Sequence, residues 1–163
     1  MKNINREYLK STLFGIEDSL VSTTGLIAGL SVGADSKNIV VLGALIAIVI
    51  EAVSMGAGEY LSDEAAQQVD KIKRHPDNPA ISGFLMFASY LAAGFVPLLP
   101  VLVFDFPGSV IFSIVFAFIG LFILGYLKGA LVGMSKTKSA LKIFIVGGLA
   151  TALGVVVGLI FQV

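Results

Sequence analysis

Four carboxylates and one thioether stand where apolar side chains would be expected. Glu17 and Asp18 interrupt an apolar run from Thr12 to Ala34, and Glu51 and Glu59 interrupt a second from Asn38 to Leu61, with Met55 between them. If these runs cross a bilayer, an ionised side chain inside one costs about 2.5–3.5 kcal/mol on insertion scales. No lysine or arginine lies in either run to pair with the acids. A proton, water or a bound cation must then stabilise them. Glu17, Asp18 and Glu59 lie near the end of their runs that shares a face with the N-terminus, where water can reach them. Glu51 lies about ten residues, roughly 15 Å, from that end. It requires either a function or a proton.

Spacing turns these residues into a candidate metal path. Glu51, Met55 and Glu59 are four residues apart and form one stripe on the second helix. The two helices run in opposite directions, and Asp18 and Met55 each lie about six residues from the same end, roughly 9 Å deep. A carboxylate and a thioether then share a layer, with Glu17 beside Asp18 and with Glu51 and Glu59 a turn above and below. Oxygen donors alone suit magnesium, calcium or manganese, while a thioether tilts a site towards softer transition ions. Methionine is also a common apolar filler, so packing and ligation both remain open for Met55. Asp63, Glu64, Asp70, His75 and Asp77 follow in a loop where Lys71, Lys73 and Arg74 offset them, which reads as a solvated segment of mixed sign. His75 is the only histidine, so no histidine cluster exists to anchor zinc.

The elements that hold these residues are membrane helices. Of 163 residues, 56% are hydrophobic and 13% charged, about half the charge of a soluble domain, and mean hydropathy is +0.95. The stretches Asn78 to Phe104, Phe106 to Leu127 and Ile143 to Val163 carry no charge, and each reaches the ~20 residues a helix needs to cross. Five spans are expected, over 12–34, 38–61, 82–104, 107–131 and 139–163, in one all-α transmembrane domain. Asp35 to Asn38 and Asp105 to Gly108 make tight connections. The 62–81 segment is the only sizeable loop. Its first part, Ser62 to Arg74, suits a helical extension that His75-Pro76 would stop.

Ten of the eleven lysines and arginines fall on one side of these spans, and only Lys37 on the other. The positive-inside rule then puts the N-terminus in the cytoplasm and, with five spans, the C-terminus outside. The basic start and apolar Ser19 to Leu30 mimic a cleavable leader, but Glu17-Asp18 within it argues for a retained span. Zero net charge argues against nucleic acid as a partner. Without cysteine there is no thiolate chemistry. No His-Glu-x-x-His, Gly-x-Ser-x-Gly or phosphate-cradling glycine loop suggests an enzyme, and no resident cofactor is expected.

These segments resemble the vacuolar iron transporter family. FGIEDSLVSTTGLIAGLSVGA (Phe14 to Ala34) looks like the family's G-x-x-D-G-L opening, and EAVSMGAGEYLS (Glu51 to Ser62) is similar to its S-M-G-x-G-x-Y-L hallmark. AAGFVPLLPVLVF (Ala92 to Phe104) is similar to its G-x-x-P-L-x-P, and Leu131 to Gly158 matches its last helix in pattern. The resemblance implies a five-helix protomer, a homodimer with the ion path near the subunit interface, and export of ferrous iron or manganese from the cytoplasm in exchange for protons. It implies that Asp18 and Met55 are the pathway aspartate and methionine. Three features differ: Ser19 replaces a glycine, Ala47 stands where the family has its membrane glutamate, with Glu51 one turn nearer Met55, and the loop between the second and third spans is too short for a dedicated metal-collecting segment. A short prokaryotic member in the cell membrane fits these differences. Metal–proton antiport, a passive cation channel and a non-transporting membrane subunit are the competing functions.

Overall fold

The structure is a computed structural model that describes residues 5–34, 36–69 and 77–162. The described residues form helices α1 (Arg6–Ala34), α2 (Lys37–Val69), α3 (Pro79–Val103), α4 (Gly108–Val132) and α5 (Lys136–Ile160) and no strand. All five are long and apolar enough to cross a membrane. Several helices outrun the expected spans: α1 starts at Arg6 rather than Thr12, α3 at Pro79 and α5 at Lys136. Hydropathy marks only the part in lipid, whereas helical hydrogen bonding continues into water. The extension expected after Leu61 is present as far as Val69. Asp35, Asp70, Lys71, Lys73, Arg74 and the His75-Pro76 stop lie outside the described residues.

Local chemistry sets the ends. Asn78 caps α3, its side chain accepting from the Ala80 N–H at 3.0 Å, and Pro79 occupies the first turn, where its missing N–H costs nothing. Gly133 closes α4 at φ 74°, a left-handed conformation natural to glycine, and the Met134 N–H returns to the Gly129 carbonyl at 2.9 Å. Lys37, the one basic residue expected on the outer side, places its ammonium 3.3 and 3.1 Å from the Leu102 and Phe104 carbonyls at the end of α3. A cation is favourable there because it meets the negative end of the helix dipole.

Helix α1 is the centre of the bundle and packs against each of the other four. Against α5 it is nearly backbone to backbone: Gly25, Gly29 and Gly33 face Ala150, Gly154 and Gly158 in the same order, so the two helices run parallel. A Cβ on Gly29 would sit 2.6 Å from the Gly154 carbonyl oxygen. Around α1, one apolar cluster joins Ile27, Val40, Ala44, Ile48, Leu98 and Val101, and another joins Leu20, Ala93, Leu121 and Ile143. The outward faces are apolar too, including Phe112, Phe116, Ile119 and Ile123 on α4 and Leu149, Leu153 and Val156 on α5. Helices coated this way are solvated by lipid.

The side-chain ties fix which ends share a face. Tyr8 on α1 accepts from the Asn78 N–H at 3.0 Å beside the start of α3, while Gln162 after α5 reaches the Val32 carbonyl at the end of α1 at 3.5 Å. The two ends of the chain therefore lie on opposite faces of the bundle. The α1–α5 contact predicts a sharp difference between glycines. Gly29→Ala is expected to lose ~1–3 kcal/mol through overpacking against backbone. Gly58→Ala, with nothing within 4 Å of its added Cβ, is expected to change little. Thermal unfolding in detergent checks both, and equal effects would reject the close α1–α5 approach.

Candidate metal pathway between helices α1, α2 and α3

Glu51, Met55 and Glu59 are all partly buried on α2, flanked on the same face by buried Ala52 and Gly56. The stripe therefore faces into the bundle. Two hydrogen bonds fix its register against α1: the Ser11 hydroxyl donates to Glu59 at 2.6 Å, and the Ser22 hydroxyl to Glu51 at 3.3 Å. Asp18 is one turn before Ser22, and Met55 one turn after Glu51. In this antiparallel pair those two steps lead to the same level, so Asp18 and Met55 stand opposite one another in depth.

Each carboxylate is stabilised differently, and two have the lysine partners that the two runs alone lacked. Glu17 pairs with Lys128 of α4 at 3.0 Å. Glu59, its side chain only 11% exposed, accepts from Ser11 and lies 3.7 Å from Lys10, an ammonium shared with Glu7 at 3.1 Å. The expectation that only protons, water or bound cations could compensate these acids is thus corrected for Glu17 and Glu59. The correction has a simple cause. Lys10 lies on the turn of α1 before the expected span, and Lys128 reaches Glu17 from a helix more than a hundred positions away in sequence.

Among the described residues Glu51 is held without a cation. The phenol of Tyr90 on α3 donates to its Oε2, which also accepts from Ser22, and the Ser22 and Tyr90 oxygens are themselves 2.6 Å apart. Tyr90 is fully buried, and its own carbonyl accepts from Ser19 at 2.7 Å. Asp18 differs from the other three: no donor or cation offsets its charge among the described residues, and Glu51 and Glu17 act on it only by repulsion. Among the described residues no three histidine, cysteine or acidic side chains gather as a closed metal cage. Asp18 and Met55 offer one hard and one soft donor with Glu51 close by, an open set rather than a sealed site.

A cavity of about 580 Å³ begins at Ser22 and Glu51 and follows α1 past Gly25, Gly29 and Gly33 to Ala34, Ile39 and Phe161. Its direction follows from the numbering. It runs towards the end of α1, the start of α2 and the end of α5, which is the face opposite the chain's N-terminus. Among the described residues Glu51 is the only charged one along it. Tyr90, Ser22, Lys10 and Lys128 are the site residues that spacing did not single out. A lone phenol in an uncharged span is a usable signal for Tyr90, because a buried tyrosine hydroxyl needs a polar partner.

Comparison with known proteins agrees with this architecture. The family model described as the VIT family matches residues 9–75 and 64–159. Two proteins named vacuolar iron transporter 1 are similar to the chain. The one from Arabidopsis thaliana is 24% identical and the one from Eucalyptus grandis 23%, each over 207 aligned positions that cover 90% of this chain and 83% of the relative. An alignment longer than the 163-residue chain means that the relatives carry additional residues. The two matched stretches meet at 64–75, beside the short connection from α2 to α3. With a match that reaches from the first helix to the last, the chain belongs to the VIT family.

Proposed function

We propose that this protein carries a divalent transition metal, ferrous iron or manganese, out of the cytoplasm in exchange for protons. Its family and the names of its relatives support metal-ion transport as the general activity. The observation that carries the finer reading is the state of Asp18. It is the one acid of the four without a partner among the described residues, level with a thioether and lying between the carboxylates already neutralised by Lys10 and Lys128 and the deeper Glu51. An uncompensated carboxylate in a membrane interior attracts either a proton or a metal. Both use the same oxygen lone pairs, so binding one releases the other. That competition is the chemical basis of antiport.

The direction follows from the charges. Lysines and arginines concentrate on the face that holds the N-terminus, so this face is the cytoplasmic one and metal enters from it. Glu51, between the Asp18–Met55 level and the cavity on the other face, is the next station outward. Metal binding displaces protons from Asp18 and Glu51, and protons arriving from outside release the metal. One protomer offers few donors, whereas transition ions take four to six. A second copy that brings its own Asp18 and Met55 to a shared interface completes the set, which supports a homodimer. The short α2–α3 connection supports a prokaryotic cell-membrane protein rather than a vacuolar one.

Proteoliposomes with an internal pH dye test the reading. Iron or manganese flux is expected with opposing proton movement, and Asp18→Asn and Met55→Ala are each expected to reduce it at least about ten-fold. Metal flux without proton movement would favour a passive channel instead, and no flux for any metal would reject transport. The ion pairs predict a ranking as well. Glu17→Gln, which removes an acid already neutralised by Lys128, is expected to cost several-fold less than Asp18→Asn in the same initial-rate assay. Glu51→Gln is expected to abolish proton coupling, and full metal transport with unchanged proton flux would remove Glu51 from the mechanism.

A further inference from the structure

We infer that Tyr90 is a positioning residue that, with Ser22, holds the Glu51 carboxylate at the inner end of the outward-running cavity. The inference rests on the transport reading above and assigns a role to a residue on a third helix. Glu51 Oε2 accepts from two hydroxyls on two different helices, the Tyr90 phenol from α3 and Ser22 from α1. These donors also touch one another at 2.6 Å, so the three oxygens form a closed triangle that ties α1, α2 and α3 at one point.

The triangle is rigid on the donor side. Tyr90 has no exposed surface. Its backbone is fixed by the Ser19 hydroxyl at 2.7 Å, and the next turn of α3 is seated by Gly94, whose added Cβ would lie 2.8 Å from Ile48 and 3.0 Å from Ser19. A tyrosine has two side-chain torsions, and packing on all sides leaves this phenol little freedom. Glu51 has three torsions and is only partly buried. Without its donors it can swing along the cavity, away from Asp18, whose charge repels it.

Ser22 and Glu51 both line the cavity. Fixing the carboxylate here keeps it within reach of that space while Asp18 and Met55 remain one turn towards the other face. Among the described residues no cation competes at this point: the charged or titratable groups from the packed elements are Asp18 on α1 and Tyr90 on α3, and the α5 wall of the cavity contributes none. The carboxylate is therefore oriented by hydroxyls alone. Hydroxyls can hold an oxygen in place without neutralising it, which leaves its charge available to a passing ion.

Tyr90→Phe removes the hydroxyl and keeps the buried ring. It is expected to lower the maximal rate of manganese flux about ten-fold, the size of one lost hydrogen bond to a carboxylate. The KM for manganese is expected to stay within about two-fold, because Asp18 and Met55 still capture the ion. In a Glu51→Gln background the same change is expected to cost less than about two-fold. Ser22→Ala is expected to give a smaller loss than Tyr90→Phe. A wild-type rate in Tyr90→Phe, or losses that multiply with Glu51→Gln, would overturn the inference. Thermal unfolding of the same variants keeps the test independent of transport: non-additive melting shifts are expected, and additive shifts would remove the Tyr90–Glu51 bond and the proposal with it. A wild-type protein that moves no metal would defeat the transport reading, and with it the positioning role, even if the melting shifts were non-additive.

Discussion

A carboxylate surrounded by hydrocarbon must be given a partner, and most of the polar architecture of this bundle follows from that constraint. Glu17 receives Lys128 and Glu59 receives Lys10 and Ser11, so the acids towards the N-terminal face are neutralised by ammonium groups that remain partly exposed. Glu51, deeper in α2, receives two hydroxyls from α1 and α3. Asp18 receives no partner among the described residues. The gradation is spatial: cations near one face, neutral donors in the middle, and between them one carboxylate held open.

The position of α1 makes this distribution possible. It contacts every other helix, and it can do so only because its successive faces differ. The Gly25, Gly29 and Gly33 face lets α5 approach until backbones touch. Membrane helices have no hydrophobic driving force between them, so close packing of small residues provides much of the association. The faces bearing Ser11, Asp18, Ser19 and Ser22 turn towards α2 and α3. Small residues thus fix one side of the helix, and short hydroxyls span the other. The same glycines leave a void beyond Glu51, because an α1 without side chains there cannot fill the space between α2 and α5.

The two halves of the α1–α2 pair differ sharply in charge. Towards the N-terminal face it carries acids and lysines in mutual contact, with the acids partly buried and the ammonium groups more exposed. Towards the opposite face the cavity carries, among the described residues, glycines, apolar side chains and a single acid. Such an imbalance suits the proposed transport, with binding on one side and release on the other.

Much of this was legible from residue order. The number of helices followed from the lengths of the apolar runs, because a bilayer of fixed thickness demands about twenty apolar residues per crossing. The Glu51–Met55–Glu59 stripe followed from helical periodicity, and the matched depth of Asp18 and Met55 from counting residues back to a common face. The pairing of Glu17 with Lys128 could not be counted in this way. It depends on where α4 docks, and side-chain packing across the bundle decides that. Tyr90 was hidden for the same reason: its span shows one phenol among apolar residues, and nothing in the order of residues says which acid it faces. Periodicity along one helix is a local property and can be read from the chain. The partner of a buried polar group lies on another helix, and only the tertiary structure brings the two within hydrogen-bonding distance.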